Sequence, residues 1–494
     1  MNTEMFNTTQ TSSLTITSDH LSGASPFVPM KSSHRRLVVG FFWLYLFGVT
    51  LLALINRTIG AELVIPALFL AIVVQLVPLI AYKPEYGWFH PLVFGAIFSA
   101  YSLLRMLPVY ALGLESNIGL VGYDRSQLAW LVAASLFLSV IAQLAYYAGY
   151  FFTPRLRVPR LNFRYLSRVN VKAIIVVIIS VALFAVYIQR QGGLVAHLLF
   201  LAQGRSYLIN TGQLSGEWTF LARFSILACL IWLAVERSAL RRPLFWIVVL
   251  LALIPQYLVM GSRSSIVQFI IVGLIVWMLR ERRVKLIPII VGVVISIILI
   301  GVLGGFRSST IRGRVDWRIL IDTSPIKSIE RAVNEMRYRS SIEDPIYPIL
   351  ARVPNEVDLL YGRSYLTLLT TAVPRALWPG KPRTTGAAVG YVFLNMGVDS
   401  QIALSPIGEA FWNFHIPGVI FVFFLFGVFH KWCTTMFRKY AREPLMVLLY
   451  GMTLFFLNPS VLSIVTWIQI LVSMIVLIIL FGVTSSRTKA EFSK

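Results

Sequence analysis

The chain has 494 residues, of which 57% are hydrophobic and only 13% charged, about half the roughly 25% typical of soluble domains. That composition excludes an ordinary soluble globular protein and matches an integral membrane protein, in which each apolar run folds as its own unit. The formal net charge of +23 does not signal nucleic acid, because the basic residues sit between the apolar runs, where topology signals lie.

In chain order, residues 1–30 are rich in Ser and Thr and lack the basic-then-apolar pattern of a signal peptide. They are expected to form a disordered cytoplasmic tail. Lys31, Arg35 and Arg36 precede the first span, at 37–55. A span needs roughly 20 apolar residues to cross ~30 Å of hydrocarbon. The next three lie at 61–82, 88–112 and 127–152, and the fourth is followed by Arg155, Arg157, Arg160, Arg164, Arg168 and Lys172 with no acid among them. Four crossings from a cytoplasmic N-terminus return the chain to the cytoplasm, as the positive-inside rule requires.

Further spans are expected at 173–189, 217–235, 243–260, from 265 to about Arg280, and at 286–304. A moderately apolar outside loop carrying His197 and Arg205 joins the fifth to the sixth. Arg237, Arg241 and Arg242 lie inside, and so do Arg280, Arg282, Arg283 and Lys285. A large extracytoplasmic loop, 305–411, leads to the last spans within 412–483, with Lys431, Arg438, Arg442, Arg487 and Lys489 on the cytoplasmic side. Twelve spans satisfy the charge rule, in a bundle of 31–304 and 412–483 with a short cytoplasmic tail at 484–494. The eleventh, at 444–457, is short enough to be re-entrant. Cys229 and Cys433, in or beside apolar runs and far apart, form neither a disulfide framework nor a metal-ligand spacing.

The long loop is the one extended polar segment, and loops of that length are uncommon without a purpose. Ser324 as N-cap, Pro325 at the first turn and Ile326, Ile329, Val333 and Met336 at helical spacing predict a helix within it. Further on, three prolines and a glycine fix the backbone around Arg375, Trp378, Lys381 and Arg383. That suits a preorganised anion site, and a basic surface turn is the plainer reading. Arg105, Arg190, Arg223, Arg263 and Arg307 fall within spans or at their outer ends. Each either snorkels to lipid phosphates or joins a phosphate or pyrophosphate site, which Arg binds bidentately. Arg263, in a short turn, favours the second reading. Glu409 stands where the chain re-enters lipid, as a helix-dipole partner or as a general base in a half-dry cleft. His415 and Asp399 are the other base candidates. No nucleotide loop, Asp-x-Asp pair or Ser/His/Asp constellation is present, so neither metal nor nucleotide cofactor is implied.

Gly261-Ser262-Arg263, the block from Gly362-Arg363-Ser364-Tyr365 through Pro374-Arg375 and Trp378 to Lys381-Pro382, and Gly408-Glu409…Asn413-Phe414…Gly418 resemble the Wzy-type polymerases of bacterial O-antigen and oligosaccharide repeat units. The resemblance covers roughly the C-terminal half. It departs at one place: the family often continues Asn-Phe-Gly, whereas His415 follows Phe414 here.

The resemblance implies an all-α, GT-C-like, metal-independent glycosyltransferase at the outer face of the bacterial inner membrane. Such an enzyme moves a glycan from undecaprenyl pyrophosphate onto a lipid-linked repeat unit. Glu409, Arg375 and Arg263 would be catalytic, and Arg307, Arg363, Lys381, Arg383, Trp378 and Arg223 would bind substrate. Its partners would be lipid-linked oligosaccharides, membrane lipids, a chain-length regulator and a flippase, with no nucleic acid. An O-antigen ligase would share the arginines but use another acceptor. A flippase or exporter should show midplane charges and two related halves, whereas here the charges cluster outside and the halves look unlike.

Overall fold

The computed structural model describes residues 26–83, 85–112, 123–154, 156–161, 168–203, 216–260, 263–308, 310–311, 314–315, 346–370, 378, 385–394, 404–459 and 464–481. Among these the chain is almost wholly helical, and a helix lies over each segment expected as a span. They are α1 (Ser32–Ile55), α2 (Ala61–Ile80), α3 (Pro91–Leu112), α4 (Arg125–Phe152) and α5 (Val169–Arg190). After α6 (Leu194–Gln203) come α7 (Gly216–Val235), α8 (Pro243–Met260), α9 (Arg263–Glu281) and α10 (Leu286–Ser308). A small antiparallel pairing of Thr310–Ile311 with Arg314–Val315 follows α10. The polar segment contributes α11 (Ile346–Arg352), α12 (Arg363–Thr370) and α13 (Thr385–Leu394), and the chain ends with α14 (Pro406–Tyr440), α15 (Pro444–Phe456) and α16 (Ile464–Leu480). Five of these, α1, α2, α4, α5 and α14, are long and apolar enough to cross a membrane.

Local signals account for the helix starts. Asp124 caps α4 in a full capping box: its carboxylate accepts from the Gln127 N–H at 2.7 Å, and the Gln127 side chain accepts from the Asp124 N–H at 3.2 Å. Ser405 caps α14 by accepting from the Gly408 N–H, and Pro406 sits in the first turn, where its missing N–H costs nothing.

The helices bury their faces in two large apolar clusters. The first joins α1 to α4 with α11, α13 and the early part of α14; the second joins α5, α7, α8, α9, α15 and α16. Helix α14 enters both, with Phe423 and Phe426 in the first and Met436 and Phe437 in the second. Helix α15 has 13 residues, about 20 Å at 1.5 Å per residue, and is buried along most of its length. In contrast, Leu37, Phe41, Leu44, Phe47 and Leu51 of α1 are exposed on recurring turns, as are Trp246, Ile247, Leu250 and Ile254 of α8. Apolar faces of that extent suit lipid and not water.

One end of the bundle gathers several expected cytoplasmic segments. The Tyr440 hydroxyl donates to the Pro159 carbonyl at 2.8 Å, tying the basic connection after α4 to the end of α14. Arg438 pairs with Glu85 at 3.8 Å, and the Arg35 guanidinium lies over Tyr82 at 5.4 Å.

Two segments differ from expectation. Phe27, Val28 and Met30, counted with the tail, are packed. Phe27 is only 2% exposed, in a slot made by His90, Phe437 and Tyr450. Its neighbour Val28 accepts from the Trp88 N–H at 2.9 Å. The connection between α5 and α7 holds a helix, α6, whose His197 is buried against Tyr187 and hydrogen-bonds the Leu258 carbonyl at 2.9 Å. The helix expected from Ser324 lies outside the described residues.

Helices α4 and α14 meet almost backbone to backbone. A Cβ on Gly149 would stand 1.9 Å from the Phe424 carbonyl oxygen, and one on Gly427 would stand 2.1 Å from that of Tyr146. Only glycine fits at either position. Gly427→Ala must push the helices apart, costing about 1–3 kcal/mol or more as overpacked cores do. Gly40→Ala, where nothing lies within 4 Å, should be neutral or slightly stabilising. Thermal melts of the two variants in detergent check this contrast, and equal melting points would refute it.

Candidate functional site

Helix α14 is broken near its start. Phe414 (φ −143°, ψ 21°) and His415 (φ 57°, ψ −151°) leave helical geometry, dividing a short arm, 406–413, from a long one, 416–440. Pro417 supplies the chemical cause. In an unbroken helix the Asn413 carbonyl would accept from the N–H of residue 417, and proline has none. The break frees the last carbonyls of the short arm.

Those acceptors are taken by a loop some fifty residues earlier. The Leu360 N–H donates to the Trp412 carbonyl at 3.0 Å, and the Tyr361 N–H to the Asn413 carbonyl at 3.1 Å. The Gly362 N–H donates to Asn413 Oδ1 at 2.9 Å. Three successive amides thus dock on the broken end. The loop then turns through two left-handed residues, Tyr361 (φ 46°) and Gly362 (φ 86°), into α12. A Cβ at 362 would meet the Phe414 ring at 3.2 Å, a second reason for glycine there.

The docking sets Ser364, buried on the first turn of α12, against the short arm. Asn413, fully buried, donates from Nδ2 to Ser364 Oγ at 2.6 Å and to the Glu409 carbonyl at 2.8 Å. Ser364 in turn hydrogen-bonds the Glu409 carboxylate. A hydroxyl has one hydrogen, and Asn413 occupies a lone pair of this oxygen, so the hydrogen is directed at Glu409. Thr385, the first residue of α13, donates to Glu409 Oε1 at 3.3 Å. A half-buried carboxylate therefore receives hydroxyls from two other helices. Tyr365, next to Ser364, brings a phenol to the same place. Burial, and secondly the nearby Glu409 carboxylate, push its ionisation above the usual range, so it stays a donor.

The arm itself is fixed from behind. Trp412 Nε1 donates to the Asp358 carbonyl at 3.2 Å and packs edge-on to Phe393 at 4.9 Å. Arg352 of α11 donates to the Val392 carbonyl at 2.9 Å and lies over the Phe393 ring.

Of the residues expected to act, Glu409 lies at this junction, and Arg363 opens α12 one residue before Ser364 with its side chain exposed. Trp378 is exposed. Arg375, Lys381 and Arg383 lie outside the described residues, as does Asp399. Arg263 opens α9 and Arg307 lies in the last turn of α10, with their side chains outside the described residues. Arg223 of α7 is held elsewhere, donating to Gln469 of α16. Arg190 ends α5 exposed, the position from which a side chain snorkels. The His415 ring lies against Phe411, tilted by 39° with centroids 4.4 Å apart. Sequence reasoning quoted Ser364, Tyr365 and Asn413 within its motifs but assigned them no role, and it missed Thr385. Pro417, four residues beyond Asn413, was the available sign of a freed carbonyl. No group of His, Cys, Asp and Glu suited to a metal occurs among the described residues.

No family model, curated protein or solved structure matches the chain.

His415 carries a conformation that is essentially glycine's own, costing about 1–3 kcal/mol in any other residue. His415→Gly should therefore be more stable than His415→Ala by about 1 kcal/mol, reversing the ordinary order of these residues within helices. Comparing the two melting curves checks the assignment, and alanine at or above glycine would contradict it.

Proposed function

We propose that the protein is a multi-pass glycosyltransferase of the bacterial inner membrane, with twelve spans in a GT-C-like bundle. It extends polysaccharide by joining lipid-linked oligosaccharide repeat units. The observation that carries this reading is the Glu409 carboxylate, half-buried beside the long apolar arm of α14 and oriented by the hydroxyls of Ser364 and Thr385. A carboxylate fixed in this way can take a proton at one defined point.

In the proposed reaction an acceptor sugar hydroxyl gives its proton to Glu409 as its oxygen bonds to the anomeric carbon of the donor glycan. The bond from that carbon to undecaprenyl pyrophosphate breaks, and the leaving pyrophosphate keeps the electron pair. Arginines complement its charge: Arg375 and Arg263 at the reacting phosphate, with Arg307, Arg363, Lys381 and Arg383 binding substrate beside Trp378, while Arg223 is engaged by Gln469. The energy lies in the phosphate ester, so no nucleotide is required. The glycine-type geometry at His415 falls where the resembling polymerases often carry glycine, which supports the shared construction of this arm.

Purified protein in lipid nanodiscs, given the undecaprenyl-pyrophosphate-linked repeat unit, should yield a ladder of longer glycans. Glu409→Gln should lower turnover by about a hundredfold or more, the usual worth of a general base, and Glu409→Asp should keep part of it. Undiminished turnover in the Gln variant removes Glu409 from the mechanism. Transfer to a different acceptor makes the protein a ligase, and movement of the lipid without elongation makes it a flippase.

Topology is checked separately. A reporter fused near Ser341 should read extracytoplasmic and one near Asn162 cytoplasmic. The same side for both would mean the span count is off by an odd number.

A further inference from the structure

Tyr365 carries a feature that the fold does not use. Its hydroxyl is buried, yet among the described residues it has no hydrogen-bond partner. Buried hydroxyls are nearly always satisfied, and leaving one unmade is unfavourable. Phenylalanine would fill the same space without that cost, so the oxygen serves something other than packing. Neither neighbouring hydroxyl takes it up: Ser364 accepts from Asn413 Nδ2 at 2.6 Å and donates to Glu409, Thr385 donates to Glu409, and neither is hydrogen-bonded to the phenol.

What could meet the phenol follows from the two groups that lie near each other here, the unpartnered Tyr365 hydroxyl and the Glu409 carboxylate. Glu409 offers acceptor lone pairs and negative charge, and Tyr365 offers a donor. An anion would be repelled by the carboxylate. An ammonium would satisfy Glu409 but leave the phenol unmet. A neutral hydroxyl both accepts and donates, and satisfies both at once.

We propose that Tyr365 and Glu409 together hold one hydroxyl of a glycan, the phenol donating to its oxygen and the carboxylate accepting its hydrogen. This deepens the glycosyl-transfer reading and rests on it for the identity of the ligand. Tyr365 is then a positioning residue for the acceptor. The sugar oxygen has two lone pairs: one accepts from Tyr365, and the other forms the bond to the anomeric carbon. Its proton passes to Glu409, and the electron pair of the broken carbon–oxygen bond leaves with the lipid pyrophosphate.

The test compares wild type and Tyr365→Phe as full-length protein in nanodiscs, by three measurements. Without ligand, the Phe variant should melt at the same temperature or higher, because it removes an unmet donor. A drop of several degrees would show that the hydroxyl has a partner within the protein and would overturn the proposal. With methyl glycosides of glucose, galactose, mannose and N-acetylglucosamine as neutral probes, at least one should raise the melting point of wild type and lose that effect in the variant. Equal shifts in both, or none in wild type, would mean that water alone meets the phenol, and would overturn it as well. Where wild type elongates the lipid-linked repeat unit, the variant's KM for acceptor should rise roughly tenfold, the upper worth of a neutral hydrogen bond, with kcat changed less. An unchanged KM refutes the role. If wild type elongates nothing, the polymerase reading fails on its own, and the glycoside shifts still decide whether Tyr365 and Glu409 hold a hydroxyl.

Discussion

The contact on which the molecule is built is the crossing of α4 and α14 at Gly149 and Gly427. Lipid gives helices no hydrophobic reason to associate, because hydrocarbon is as apolar as leucine. What remains is close packing, and it is strongest where side chains are absent. A Cβ at either glycine would overlap a carbonyl of the other helix. Near that point the buried pair of Tyr146 with His430 at 2.8 Å fixes the two helices in rotation, and Tyr150 ties α4 to His90, just ahead of α3, at 3.0 Å. Helix α14, so anchored, passes through both apolar clusters and holds its broken end at a set height. The site inherits its position from a contact far along the same helix.

The break turns that rigid element into a platform. A continuous helix satisfies its own carbonyls and offers a neighbour only side chains. Interrupted ahead of Pro417, it presents main-chain acceptors and one side-chain amide in a row, and the 360–362 amides read them in order. Hydrogen bonds of this kind to fixed carbonyls specify register more sharply than apolar contact does. Asn413 uses its backbone carbonyl and both ends of its amide in the arrangement. The relay from Asn413 through Ser364 to Glu409 then orients a carboxylate with groups that carry no net charge. The carboxylate loses its freedom to rotate.

Much of the architecture was legible because span length and the spacing of basic clusters are properties of single segments. Helices stand at all twelve expected places, with ends shifted; α14 begins at Pro406, inside the stretch expected as loop. The site was legible only in part. Glu409 stood out as a carboxylate at an apolar boundary, but its partners and those of Asn413 are reached across 24 to 51 residues by tertiary docking. No local pattern encodes such pairings. Phe27 was hidden for the same reason: a Ser- and Thr-rich stretch looks like tail, and a few apolar residues at its end announce nothing until their slot is known.

That slot has a consequence for how the chain is made. Phe27 is flanked by His90, Phe437 and Tyr450, its ring lies 5.8 Å from the Arg438 guanidinium, and Met30 donates its N–H to Tyr82. Synthesis runs from the N-terminus, so these residues leave the ribosome early and two walls of their seat are among the last to appear. Until some four hundred further residues are inserted, the segment can rest only on Tyr82, Trp88 and His90, and its slot stays open on the side of Phe437 and Tyr450. Its closure waits for α14 and α15, joining helices separated by most of the bundle in order of synthesis.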